Sequence, residues 1–306
     1  MAYSAENFDA WCSRLYLAPR VVMYGRRTGS FSTCVDEREI PNKISYWHDC
    51  PRWVERWRTK MLSMGLGNVW VPTYSGVGRA IIGSEPEVTT SLFNDFFNTI
   101  DKFNYDLQAV LRPGEVPISD SVRVIAVPTA GLGVFSHPDK VICDGTAYEV
   151  KVGFGEVKPP WVMKTIGALT FANRLPFNRF GEDFLANIGS EDAQKNVGKG
   201  LTQLYSDLLN DGLSLGFLAT TEIFFFCCIN PEDRGEFQIF PLMVDRIDLP
   251  RNGAPSPFTV QMGLATLAWM GRKPIFGEPR EIPGGLALWS NQSRHIEIAA
   301  DTDRGL

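Results

Sequence analysis

Asp139, Glu156 and Lys158 stand in two neighbouring segments, "HPDKVICD" (137–144) and "VKVGFGEVK" (150–158). Side chains alternate faces along an extended strand. Val150, Val152 and Phe154 therefore share one face, and Glu156 and Lys158 continue it with charge, while Glu149 and Lys151 fall on the other. Burying charge is costly unless it is paired or bound to a metal. Two carboxylates close together repel unless a cation intervenes. Oxygen ligands without a His or Cys cluster favour Mg2+ or Mn2+. A lysine two residues on, on the same face, can hold an attacking water or steady a pentavalent phosphorane. Such a group suits phosphodiester hydrolysis.

The chemistry depends on register. With Asp139 opposite Glu156, Val141 meets Phe154, Cys143 meets Val152 and Asp144 meets Lys151, which needs a loop around Thr146–Glu149. Asp144-Gly145 is itself a tight-hairpin signal, and closing there puts Asp139 opposite Val150 instead. A three-residue loop would bring Glu149 and Lys151, the earlier Glu-Val-Lys, to Asp139. Both alternatives stay open from sequence, as does an ordinary hairpin in which Lys158 neutralises Glu156.

The flanking elements read as follows. "GSEPEVTTSLFNDFFNTIDKFNYDLQAVLRPGE" (83–115) opens on a capping box, Ser84 with Glu87, and keeps helical apolar spacing until Pro113-Gly114. Strand-like runs follow at 121–128, 133–144 and 150–158. A helix over 191–211 stops at Asp211-Gly212. Apolar runs "LGFLAT" and "EIFFFCCI" come next, the second joined to "EFQIFPLM" by the turn "NPEDRG". This order, helix, three strands, helix, strand, predicts an α/β (α+β) layer with a mixed sheet flanked by helices. A further helix is expected over 256–270, and a loosely ordered tail after 290.

Pro138-Asp139, one hairpin, then Glu156-Val157-Lys158 resembles the PD-(D/E)XK, or restriction-endonuclease-like, nuclease superfamily. The likeness spans roughly half the chain, and "GEVKPPW" is similar to variants in an uncharacterised fungal branch. It implies a core of order α-β-β-β-α-β with N- and C-terminal extensions. Residues 1–80 would be an extension packed on the core, 81–250 the nuclease-like core, and 251–306 a C-terminal helix and tail. It further implies Asp139 and Glu156 as metal ligands with the Val157 carbonyl as a third, and Lys158 as the water-orienting or charge-stabilising group. Mg2+ or Mn2+ would be the cofactor and DNA or RNA the substrate. An acid from the first helix, Glu87 or Glu85, could join the site, although capping already accounts for Glu87. Gln203 in "GKGLTQLYSDLL" matches a helix glutamine of some members, but Asp207 stands where a tyrosine would follow, and a surface glutamine explains Gln203 equally well. A nuclease-fold module that binds without cutting is the alternative.

Composition bounds the rest. The 306 residues can bury a large core, and a net charge of −5 argues against a surface coated for non-specific nucleic-acid binding. Six cysteines without Cys-x-x-Cys spacing and only three histidines disfavour structural zinc. Cys227-Cys228 reads as buried free thiols, which suggests a reducing compartment, cytoplasmic or nuclear. "IFFFCCI" is far too short to cross a membrane. "PRWVERWRTK" (51–60) carries arginines and tryptophans each at helical spacing. Docking of the tryptophans on the core is favoured over base stacking, with the arginines in solvent.

Overall fold

The computed structural model describes residues 3–13, 38–63, 70–74, 88, 123–126, 140–144, 150–159, 191–244, 258–271 and 297–298. In chain order these form β1 (Tyr3–Asn7), α1 (Phe8–Cys12), β2 (Lys43–Tyr46), α2 (Cys50–Ser63), β3 (Trp70–Tyr74), β4 (Arg123–Ala126), β5 (Lys140–Asp144) and β6 (Val150–Val157). They continue with α3 (Glu191–Asn210), β7 (Leu215–Ala219), β8 (Ile223–Ile229), β9 (Glu236–Met243), α4 (Val260–Gly271) and β10 (Glu297–Ile298). Strands β1 and β3 pair separately. The others form one eight-stranded mixed sheet, ordered β10-β2-β9-β8-β7-β6-β5-β4. It is an α+β fold, a mixed sheet flanked by helices.

The β8 sequence explains why the sheet is covered on both sides. All seven residues of "IFFFCCI" are buried. Phe224, Phe226 and Cys228 pack into a core shared with α1, α2 and α4. Ile223, Phe225, Cys227 and Ile229 pack into a second core beneath α3. A strand buried on both faces reads as a continuous apolar run rather than an alternating one. Cys227 and Cys228, one on each face, are free thiols.

Strands β4, β5 and β6 are successive antiparallel neighbours, and α3 then carries the chain to β7, which runs parallel to β6. A parallel return requires such a crossover. Helix α3 ends as expected: Gly212 takes a positive φ of 68°, with Gly212 N–H donating to the Leu209 carbonyl and Leu213 N–H to that of Leu208. That left-handed close satisfies the last carbonyls of the helix. Gly216 of β7 lets the helix sit close, since a Cβ there would meet Leu204 and Leu208 at 3.1 and 3.2 Å.

The segment before residue 80 supplies a strand of the main sheet: β2 pairs parallel with β9, Lys43 opposite Glu236 through Tyr46 opposite Ile239. Strand β6 is covered on both faces, with Val152 packing into α4's core and Phe154 into α3's. Helix α2 behaves as expected. Val54, Trp57 and Met61 are buried, whereas Arg52 is 80% exposed and Arg56 lies over the Trp53 ring, 5.3 Å from its centroid. Of the helix expected after residue 84, Val88 alone is described, helical and fully buried.

Candidate functional site

Strand β6 is glycine-spaced for a reason that sets the site. A Cβ on Gly153 would stand 2.7 Å from the Leu215 carbonyl oxygen, and one on Gly155 only 2.1 Å from the Phe217 ring. Both glycines let β7 and its aromatic close against β6. Glu156 and Val157 then pair with Leu218 and Ala219, and Lys158 N–H extends the ladder by donating to the Ala219 carbonyl at 2.8 Å.

The β5–β6 register runs Lys140–Gly155, Val141–Phe154 and Ile142–Gly153, then shifts to Cys143–Lys151 and Asp144–Val150. The Val141–Phe154 pairing is the one read from sequence. The expected Cys143–Val152 and Asp144–Lys151 pairs are replaced, because a β-bulge places one extra β6 residue between Ile142 and Cys143. A bulge inverts the alternation beyond it. Lys151 accordingly reaches the α3 side, where its ammonium lies 2.7 Å from Asp211 Oδ1. The tight-hairpin alternative is excluded by the Asp144–Val150 pair. Asp139 is the next residue in the chain beyond the Lys140–Gly155 pair and, like His137, Glu149, Glu85 and Glu87, lies outside the described residues.

Glu156 and Lys158 do come together. Glu156 is fully buried and Lys158 is 5% exposed, and Lys158 Nζ lies 2.9 Å from Glu156 Oε2. Helix α3 packs over β6 and β7 and brings a second polar group. Gln203 and Asp207, one turn apart, are 3% and 1% exposed. Gln203 is thus no surface glutamine. Lys199, a further turn back, is half-buried.

Arg38 and Asp207 are the residues that sequence reasoning missed in this role. Arg38 Nη1 donates to Asp207 Oδ1 and, at 3.4 Å, to the Gln203 main-chain carbonyl. The neighbouring Glu39 accepts from the Ser206 hydroxyl. Burial pushes the Asp207 carboxyl up to about 6, against the opposing pull of Arg38; Asp211 raises it further and Lys158 lowers it. Lys158 is therefore near enough to act on Asp207. Gln203 Oε1 and Asp207 Oδ2 are buried without a hydrogen-bond partner. The one sequence signal for this group is a Gln and an Asp a turn apart; in the structure all nine residues 201–209 around them are buried.

The donors suit a hard divalent cation: a buried carboxylate at Glu156 beside the Val157 main-chain carbonyl. Among the described residues no group of three His, Cys, Asp or Glu stands together to hold a metal. A complete ligand set would need Asp139. No described helix is long and apolar enough to cross a membrane. Comparison of the chain with protein-family models, curated proteins and solved structures finds no match.

Proposed function

We propose that the protein is a divalent-metal-dependent nuclease with a restriction-endonuclease-like core, hydrolysing phosphodiester bonds of DNA or RNA. The observation that carries this reading is the buried Glu156–Lys158 pair at the end of β6, 2.9 Å apart. Its setting supports it: three antiparallel strands, a helix, then a strand parallel to β6 is the order the PD-(D/E)XK resemblance implies. On this reading Asp139, Glu156 and the Val157 carbonyl hold Mg2+ or Mn2+. When bound, such a cation would acidify a water and offset charge on the phosphate. Glu156 fixes a negative charge where water is excluded, so it attracts a cation strongly. Lys158 is an ammonium held against that carboxylate, a donor type suited to orienting a water or holding a phosphate oxygen. Gln203 supplies an unpartnered acceptor from α3.

The test is cleavage of supercoiled plasmid, single-stranded DNA and RNA with Mg2+ or Mn2+. Asp139→Asn, Glu156→Gln and Lys158→Met should each cut at least ~100-fold more slowly, compared under conditions where circular dichroism shows the variant folded, since the last two break a buried pair from one side. A wild-type protein that cuts none of these substrates, or variants that cut as well as it does, would overturn the reading.

A second reading has its own support. Lys158 already neutralises Glu156, as it would in a fold that keeps the site without the activity and serves as a binding module. Calorimetric titration with Mn2+ separates the two, since a defunct site takes up no stoichiometric metal dependent on Asp139 and Glu156.

A further inference from the structure

We infer that Arg38 is a phosphate-binding residue of this site, contributed by the segment before β2 and held in place by Asp207 and the Gln203 carbonyl. The inference rests on the nuclease reading for its substrate, and it concerns binding rather than cleavage.

A planar guanidinium offers five N–H donors in a rigid fork suited to a phosphate. Arg38 spends Nη1 on both of its bonds, to Asp207 Oδ1 and to the Gln203 carbonyl. Among the described residues Nε and Nη2 make none, and these two edge donors form the bidentate face that grips phosphate oxygens. The side chain is 20% exposed, while that of the Asp207 beneath it is 1% exposed. The anchor is thus buried and the cation is reachable. Of the two acids flanking Arg38 in sequence, Glu39 has its carboxylate engaged by Ser206, and Glu37 lies outside the described residues. Asp207 also feels the charge of Lys158, which sets the two cations around one carboxylate. A chain with net charge −5 lacks a general attraction for polyanions, so a pre-positioned arginine would weigh heavily in its affinity. Asp207 is then a positioning residue, acting on substrate only through Arg38.

The test uses the full chain in EDTA, so that binding is read without cleavage. Fluorescence anisotropy is followed for a short labelled oligodeoxynucleotide and for RNA of the same sequence, with inorganic phosphate as competitor. Arg38→Lys is the deciding variant. It keeps a cation for Asp207, and hence the fold, but cannot present the two-pronged edge. Arg38→Lys should bind about 10- to 100-fold more weakly, with the salt slope of binding little changed because the charge is kept. Asp207→Asn should weaken binding by less, and Mn2+ uptake should stay as in wild type for both. The difference between the two probes names the preferred backbone. Arg38→Lys binding as tightly as wild type would overturn the inference, as would wild type binding neither probe. Loss of binding in Arg38→Lys, in a protein that never cleaves, would uphold this inference and remove the nuclease reading. Cleavage with an unchanged KM in Arg38→Lys would do the reverse.

Discussion

Lys158 and Glu156 form an ion pair inside the protein, with Nζ 2.9 Å from Oε2 and side chains 6% and 0% exposed. Breaking a buried pair from one side leaves a desolvated charge and costs ~3–5 kcal/mol, whereas replacing both ends with apolar groups is often neutral. Reading the sequence alone suggests that removing the acid would leave folding intact by relieving repulsion between carboxylates. The pair reverses that expectation for substitution to alanine. Urea denaturation should show Glu156→Ala strongly destabilised and Glu156→Leu/Lys158→Met much closer to wild type. A double variant as unstable as the two single changes summed would contradict this account.

Asp207 gives the protein a defined acid-range pH dependence. Its carboxyl is raised from 3.8 to about 6 by burial, so the folded state binds more protons than the unfolded state between those values. The contribution of Asp207 to stability therefore falls as pH rises from about 4 to about 6. The favourable contribution is complete below the unfolded value and gone above the folded one, with a ceiling of roughly 3 kcal/mol. Asp207→Asn should gain on wild type across that window, read from urea midpoints at several pH values. Parallel profiles for the two proteins would refute the assignment. Arg38→Ala should move the wild-type transition to higher pH, because the guanidinium is the main influence holding the carboxyl down.

Gly155 has no room for a methyl group. The nearest Phe217 ring atom would be 2.1 Å from its Cβ, and that ring is fully buried. Gly155→Ala should cost ~1–3 kcal/mol as overpacking. Phe217→Leu should recover part of this loss in the double variant. Two independent, additive effects would show that the ring does not meet the new methyl.

Helix α2 separates its two stripes by role. Trp57 is 6% exposed and packs against Phe8 and Trp11, with ring centroids 5.9 and 6.5 Å away. Trp57→Ala should cost ~3–5 kcal/mol, while Arg52→Ala, at an exposed site, should stay within ~0.5 kcal/mol. The double change Arg52→Ala/Arg56→Ala should leave oligonucleotide affinity unchanged; a clear loss would move the nucleic-acid surface to this helix.

Much of the sheet was legible in the sequence because its signals are local. The seven apolar residues of β8, the turn into β9 and the Asp211-Gly212 stop of α3 each carry their own composition cue. Val141 opposite Phe154 followed from alternation alone. The bulge at β6 did not, because an extra residue leaves no mark on a period-two pattern and shows only as Lys151 reaching Asp211. Arg38 was invisible for a different reason. Its partner Asp207 lies 169 positions along the chain, and one arginine among twenty has no spacing that announces a contact. Gln203 could be named but not placed, since a glutamine has the same letter buried or exposed.

Strand β2 has a consequence for how the molecule is made. Its four residues pair only with β9, roughly 190 residues later, and with β10 later still. At ribosomal speeds of ~5–20 residues per second, β2 waits on the order of 10 to 40 seconds before its first partner emerges. During that interval Ile44 and Trp47 have no sheet to cover, and the edge of β9 has not been synthesised. Capture of an early strand by a late one thus becomes the closing step of assembly, and a holdase that binds apolar nascent chain has its longest opportunity there.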